Sequence, residues 1–325
     1  MKASLPPRCI LRGILPSLFV LLGLAVVWPA RATETLRLMT FNLWHGGDAG
    51  KQPLSRTLAV IRAAQADLVG LQETHGYEPA PGAPRPDHGR ELAERLGWHY
   101  LAQGGRTGVL SRHPIVTNSP ARWGAKIRMP SGQEVWLFNA HFAAAPYQPY
   151  QLLRIPYGEA PFLETAEEAV RAARAARGGQ VDRLLAELRP ALATGLPVFL
   201  TGDFNEPSFQ DWTPRAAAAG RCPLPVEYPS TLAVTRAGMI DAFRSVFPDE
   251  VARPGWTWTP ITSPDDPADR HDRIDFVFVS ALNVKVRACH VVGEAANAAD
   301  LVVQPYPSDH RAVVATVETR NGVKH

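Results

Sequence analysis

Cysteine is scarce in this 325-residue chain, which has only Cys9, Cys222 and Cys289. No CxxC pair and no Cys/His cluster at zinc spacing occurs, and this excludes a structural zinc module. A basic excess is missing too. The formal net charge is +3, but four of the 34 basic side chains and none of the 31 acidic ones lie in residues 1–32. Without that stretch the chain carries 30 basic and 31 acidic groups, a net of −1. A protein that neutralises many phosphates of a long nucleic acid needs the opposite balance. An apolar run of the ~20 residues that span a bilayer is also absent: Ile14 to Trp28 falls short, and no longer run follows it. What is present is 46% hydrophobic and 20% charged residues with 30 prolines and 25 glycines, the composition of a chain that folds rather than one that stays disordered.

Lys2, Arg8 and Arg12 flank or precede the short apolar run, and Ala30-Arg31-Ala32 follows it. A positive start, a short apolar centre and small residues at a cleavage point make a secretory signal peptide. Residues 1–32 are therefore expected to be removed. Residues 33–325 remain as one catalytic domain, secreted or periplasmic, monomeric and with no stable membrane span. Cys9 leaves with the signal, and Cys222 and Cys289 either pair in an oxidising compartment or stay as two buried thiols.

Seven segments read as strands from their β-branched and aromatic content: 36–44, 66–73, 107–111, 134–142, 197–205, 273–280 and 311–318. Residues 54–65 and 180–193 place leucine, valine and isoleucine on one helical face and predict cover helices. Residues 167–177 are helix-prone, with Gly178-Gly179 expected to stop them and with Arg171, Arg174 and Arg177 on a solvated face. Asn42, Glu73, His141 and Asp203 fall at or near the C-terminal ends of strands. Asp275 and Asp309-His310 fall at or just before the N-terminal ends. All can meet at one edge if the last strands run antiparallel to the earlier ones, which implies a mixed sheet or a pair of packed sheets.

These residues sit in short strings that follow one fixed order: TFNLW with Asn42, LQET with Glu73, NAHF with Asn139 and His141, GDFN with Asp203 and Asn205, RIDF with Asp275, and SDH with Ser308, Asp309 and His310. Together, over about residues 36 to 318, they resemble the endonuclease/exonuclease/phosphatase superfamily of nucleases and of lipid and inositol phosphate phosphoesterases. The resemblance implies an α/β fold of two packed mixed β-sheets flanked by helices, a four-layer α-β-β-α sandwich. It also implies that Asp203 and Asn205 orient the attacking water and hold the phosphate, and that His141 donates to a phosphate oxygen or to the leaving group.

Hydrolysis of a phosphate ester needs a water in line, compensation of charge on the phosphoryl oxygens and help for the departing oxygen. A hard cation suits that work, and Glu73 and Asp309 with the amide of Asn42 are oxygen ligands of the kind Mg²⁺ (or Mn²⁺) takes. Asp275 and His310 can form a carboxylate–imidazole pair, with His310 as general base; the resemblance leaves Asp203 as the other candidate base. His45, beside Gly46-Gly47, and Arg154, in the tyrosine-rich stretch 143–162 after His141, are candidates for contact with the substrate. The expected activity is a Mg-dependent phosphodiesterase acting on a small molecule or lipid head group. Two alternatives stand beside it: a secreted nuclease, which the charge balance does not favour, and a periplasmic phosphate-ester binding protein without turnover.

Overall fold

Thirteen strands and seven α-helices alternate along the chain in a computed structural model that describes residues 1–3 and 33–320. In the first half run β1 (Thr33–Asn42), α1 (Leu54–Ala63), β2 (Leu68–Gln72), α2 (His88–Leu96), β3 (His99–Gly104), β4 (Thr107–Ser111), β5 (Ile115–Asn118), β6 (Gly124–Arg128) and β7 (Glu134–His141). Then come α3 (Gln148–Leu153), α4 (Ala166–Ala193), β8 (Val198–Asp203), α5 (Pro214–Ala218), α6 (Pro229–Arg236), β9 (Met239–Asp241), α7 (Ala242–Val246), β10 (Asp275–Ser280), β11 (Val284–Gly293), β12 (Leu301–Val302) and β13 (Ala312–Arg320). The expected signal peptide lies outside the described residues over 4–32. Residues 32–325 form a compact unit of their own. Among the described residues no helix is long and apolar enough to cross a membrane.

The strands form two mixed sheets, one of seven in the order β12-β11-β13-β1-β2-β4-β3 and one of six in the order β5-β6-β7-β8-β10-β9. Alternation along each strand gives both sheets two apolar faces. The inner faces pack on each other through Leu38, Val109, Leu137, Phe199, Val277 and Val313. The outer face of the first sheet is covered by α1 and α2, through residues such as Leu58, Ile61 and Leu92. The outer face of the second is covered by α4 and α6, through Leu184, Leu188 and Val234. This is the four-layer sandwich expected. At Gly70 the sheets come so close that a Cβ would sit 1.9 Å from Thr201 Oγ1 and 2.4 Å from Asn139 Oδ1, so no larger residue fits there without moving the opposite sheet.

Gly178-Gly179 does not stop a helix. α4 runs through both glycines for 28 residues, opened by a capping box between Thr165 and Glu168. Two glycines cost about 1 kcal/mol each in a helix interior. The buried stripe Ala169, Ala173, Arg177, Val181, Leu184 and Leu188 keeps its spacing of three or four residues across them and outweighs that cost.

Arg177 is the second correction, because it is fully buried and not solvated. Its guanidinium donates to Gln148 Oε1 at 2.6 Å and to the carbonyls of Ala143 (2.9 Å), Pro146 (2.9 Å) and Ala144 (3.4 Å), with the buried Glu206 carboxylate 3.9 Å away. The rigid, five-donor fork suits that set of acceptors. Arg177→Met keeps the volume but leaves Glu206 and those carbonyls without their donor. It should cost about 3–5 kcal/mol, read as a fall in the denaturant midpoint at constant slope; a loss under ~1 kcal/mol would contradict this assignment.

Cys222 and Cys289 are both buried and free. Cys289 faces the core between the sheets and Cys222 lies in a separate cluster around Trp212 and Tyr228, so the two-thiol alternative holds. Burial pushes the Cys222 thiol up to about 11 and Cys289 higher still, which makes both poor nucleophiles at neutral pH.

Candidate active site

Six central strands deliver their polar ends to one edge of the sandwich. β1 and β2 are parallel, so Asn42 ends one strand in register with Gln72, the residue before Glu73. β7 and β8 are also parallel and set His141 beside Asp203, while the antiparallel β10 brings Asp275 opposite Asp203. β13 runs antiparallel to β1, which returns Ser308, Asp309 and His310 to the same edge. Ser308 fixes the junction by donating to Asn42 O at 2.7 Å and accepting from His310 N at 3.1 Å.

Asp203 lies at the centre and is fully buried. Its Oδ2 accepts from Asn42 Nδ2 at 2.9 Å and lies 3.5 Å from His141 Nε2 and 3.8 Å from His310 Nε2; its Oδ1 accepts from Asn205 N at 2.9 Å. Asn205 is anchored in turn by Nδ2 donating to Phe142 O at 3.1 Å. Asp275 Oδ2 is 2.9 Å from His310 Nδ1, and Asp275 N donates to Thr257 Oγ1. Burial disfavours a charged imidazole at His310, but Asp275, Asp203 and Asp309 together outweigh it and push the group up to about 10.

Glu73 Oε2 accepts from His45 N at 3.0 Å, and Glu73 Oε1 is 3.9 Å from His141 Nε2. Asp309 Oδ1 is buried and has no hydrogen-bond partner. Burial, with Glu73 and Asp203 adding repulsion, pushes the Asp309 carboxyl up to about 7 despite His310 beside it. An orphaned carboxylate oxygen among other carboxylates is a donor set short of a cation, and Glu73 and Asp309 fit a hard divalent ion. Asn42 contributes less freely, since its Oδ1 accepts from Trp44 N at 3.0 Å. Asp203, Asp275 and His310 also offer ligand atoms within 4.8 Å of one another, but there His310 Nδ1 is engaged by Asp275. Four residues along this edge, Trp44, His45, Glu73 and Asn205, adopt left-handed backbone with φ from 49° to 55°. Such strain in non-glycine residues concentrates where geometry matters for function.

A cleft of about 240 Å³ opens over these groups, lined by His45, Glu73, Asp203, Asn205, Asp309 and His310 on its polar side. Trp44, Tyr147, Tyr150, Tyr157 and Trp258 form its aromatic side. The structure does not bring Arg154 there: that side chain is exposed and pairs with Glu164 at 3.0 Å. Asn139, part of the NAHF string, points between the sheets and joins Gln72, Gln103 and Thr201 in a buried network. A larger cavity of about 970 Å³ beside Val170, Trp212 and Pro214 contains none of these groups.

A model of the endonuclease/exonuclease/phosphatase family matches residues 39–310, from β1 to the last of these polar groups. The chain belongs to that family. Members of the endonuclease/exonuclease/phosphatase family are metal-dependent phosphoesterases and nucleases. An uncharacterized Caenorhabditis elegans protein is 25% identical over 303 residues, which cover 86% of this chain and 90% of that one. Among solved structures, an endonuclease/exonuclease/phosphatase protein from Beutenbergia cavernae superposes with a TM-score of 0.54 at 22% identity, over 90% of this chain and 73% of that chain. TDP2 of D. rerio, complexed with a single-strand DNA product, gives 0.50 at 16% identity over 87% and 98%. The 3′ phosphatase NExo from Neisseria, bound to a product DNA hairpin, gives 0.50 at 18% over 86% and 98%. At these identities the structural likeness establishes the shared fold.

Proposed function

We propose that this chain hydrolyses a phosphodiester of a small molecule or lipid head group by in-line attack of water, with Mg²⁺ or Mn²⁺ as cofactor. The observation that carries the proposal is the orphaned Asp309 Oδ1, buried beside Glu73 at the edge where His141, Asp203 and His310 converge. Glu73 and Asp309, with the Asn42 amide, would hold the ion. When bound there, a divalent ion supplies polarisation of the phosphoryl oxygens and offsets charge that develops in the transition state. Asp203 and Asn205 orient the water. Asp203 and His310, 3.8 Å apart, are the two candidates to take its proton, His310 only where the ring has first lost the proton its carboxylate neighbours hold on it, and Asp275 fixes the orientation of His310. His141 donates to a phosphoryl or departing oxygen.

We also place this activity outside the cytoplasm, in a monomer that starts at Thr33. Protein recovered from the export compartment should begin there by N-terminal sequencing, and with Mg²⁺ it should turn over bis(p-nitrophenyl) phosphate. Failure to do so would overturn the hydrolase reading and leave the phosphate-ester binding protein. The second enzymatic reading is a nuclease, which the DNA products in the D. rerio and Neisseria structures favour. A panel of DNA, RNA, sphingomyelin and phosphoinositide decides between the two. A net charge of −1 after residue 32 leads us to expect shallow salt dependence and a small or lipid-derived ester as the better substrate; preference for polynucleotide with a steep salt slope would establish the nuclease instead.

A further inference from the structure

Eight large hydrophobic side chains in residues 33–320 are exposed. Five of them, Tyr77, Leu153, Tyr157, Phe162 and Ile261, at 37% to 56% exposure, stand in three stretches, 74–87, 142–165 and 256–270, that supply or touch cleft-lining residues. Single exposed apolar residues need no explanation, whereas a group on one rim does. Three sets of contacts hold these side chains in place. Tyr157 packs edge-on against Tyr150 at 5.6 Å, Tyr150 bonds to Asp269, and Asp269 accepts from Thr262, the neighbour of Ile261. Leu153 ends α3 and is followed by Arg154, whose guanidinium lies 5.9 Å over the Phe162 ring. Tyr77 rests on His45 at 4.9 Å, next to Glu73.

The charges on the same loops select the partner. Residues 74–87, 142–165 and 256–270 each carry more carboxylates than lysines and arginines. That balance gives a polyanion, whether nucleic acid or an anionic membrane, no net attraction to these stretches. It is compatible with a surface of no net charge into which tyrosine, phenylalanine, leucine and isoleucine insert at the level of the head groups.

We propose that this rim docks on a zwitterionic lipid surface and so presents head-group phosphates to the cleft. The proposal rests on the phosphodiesterase reading for its purpose but not for its test. Residues 33–325 should cosediment with phosphatidylcholine vesicles, and raising the salt should not release them. Leu153→Ser, Phe162→Ser and Ile261→Ser together should weaken that partition at least about 30-fold. Turnover of bis(p-nitrophenyl) phosphate should stay within about threefold, since none of the three lines the cleft, and an unchanged circular dichroism spectrum confirms folding. No partition of the unaltered chain at millimolar lipid would overturn the proposal, as would equal partition of the triple variant or binding confined to anionic vesicles and lost in salt. Retention of single-stranded DNA that the same substitutions abolish would assign the rim to base stacking and also overturn it. Vesicle binding without turnover of the soluble ester would uphold the docking surface and reject the hydrolase.

Discussion

His310→Ala should lower kcat for phosphodiester hydrolysis by roughly 10²–10⁴-fold, the range that positioned acid–base groups contribute. Asp275→Asn should also lower it while leaving the fold intact. The reason is the buried 2.9 Å contact between Asp275 Oδ2 and His310 Nδ1, which sets the orientation and tautomer of the ring. Because the two act as one unit, the double variant should be little slower than His310→Ala alone. The pH profile supplies the sign. Three carboxylates raise His310 towards about 10, and removing one of them makes the protonated ring less favourable, so the limb governed by His310 moves to lower pH. If the acidic limb moves, the ring acts by accepting a proton; if the alkaline limb moves, it acts while protonated and Asp203 is the base. Multiplicative losses in well-folded variants would mean that Asp275 serves the metal or the sheet and not the imidazole.

EDTA should abolish activity, and Mg²⁺ or Mn²⁺ should restore it. The donors at the edge are hard oxygens, and among the described residues no thiolate competes because Cys222 and Cys289 are buried in other clusters. Glu73→Gln keeps the shape of the side chain and removes its charge. It should raise the metal concentration for half-maximal rate by more than about tenfold, since loss of a supporting partner alone costs that much elsewhere. Isothermal titration with Mg²⁺ reads the same loss without substrate. Full activity in EDTA, or equal Mg²⁺ affinity in Glu73→Gln, would remove Glu73 and the ion from the site.

Most of the candidate site is legible in the sequence because polar groups fall at strand ends, and strand ends are what period-two patterns reveal. Asn42, Glu73, His141, Asp203, Asp275 and Asp309-His310 each follow or precede a run of alternating or fully apolar residues, and the antiparallel return of β10 and β13 follows from which end each group occupies. What stayed hidden has specific causes. In β11, Val284 and Val286 face the core, and so do Cys289 and Val291, an interval of three where a strand needs two. The register shift between Val286 and Ala288 absorbs the extra residue and breaks the alternation. β5, β9 and β12 have four, three and two residues, too few to carry a period.

Arg177 departs from the sequence pattern because its burial depends on carbonyls from 143–146, which no local pattern announces. The four-residue spacing from Ala169 through Ala173 and Arg177 to Val181 was the available signal. Trp44 and Trp258 line the cleft yet carry no titratable or ligating group that would mark them in the sequence. Arg154 fails for the converse reason: its loop does border the cleft, but its side chain turns outward to Glu164 and Phe162.

The candidate catalytic groups are divided between the sheets, with Asn42, Glu73, Asp309 and His310 brought by the seven-stranded one and His141, Asp203, Asn205 and Asp275 by the six-stranded one. Neither half holds both the candidate metal ligands and the water-orienting Asp203. A refolding chain that has formed its strands and helices but has not yet closed one sheet on the other should therefore be inert. Recovered turnover then becomes a clock for the docking of the two sheets, and far-ultraviolet dichroism, which sees only secondary structure, will run ahead of it.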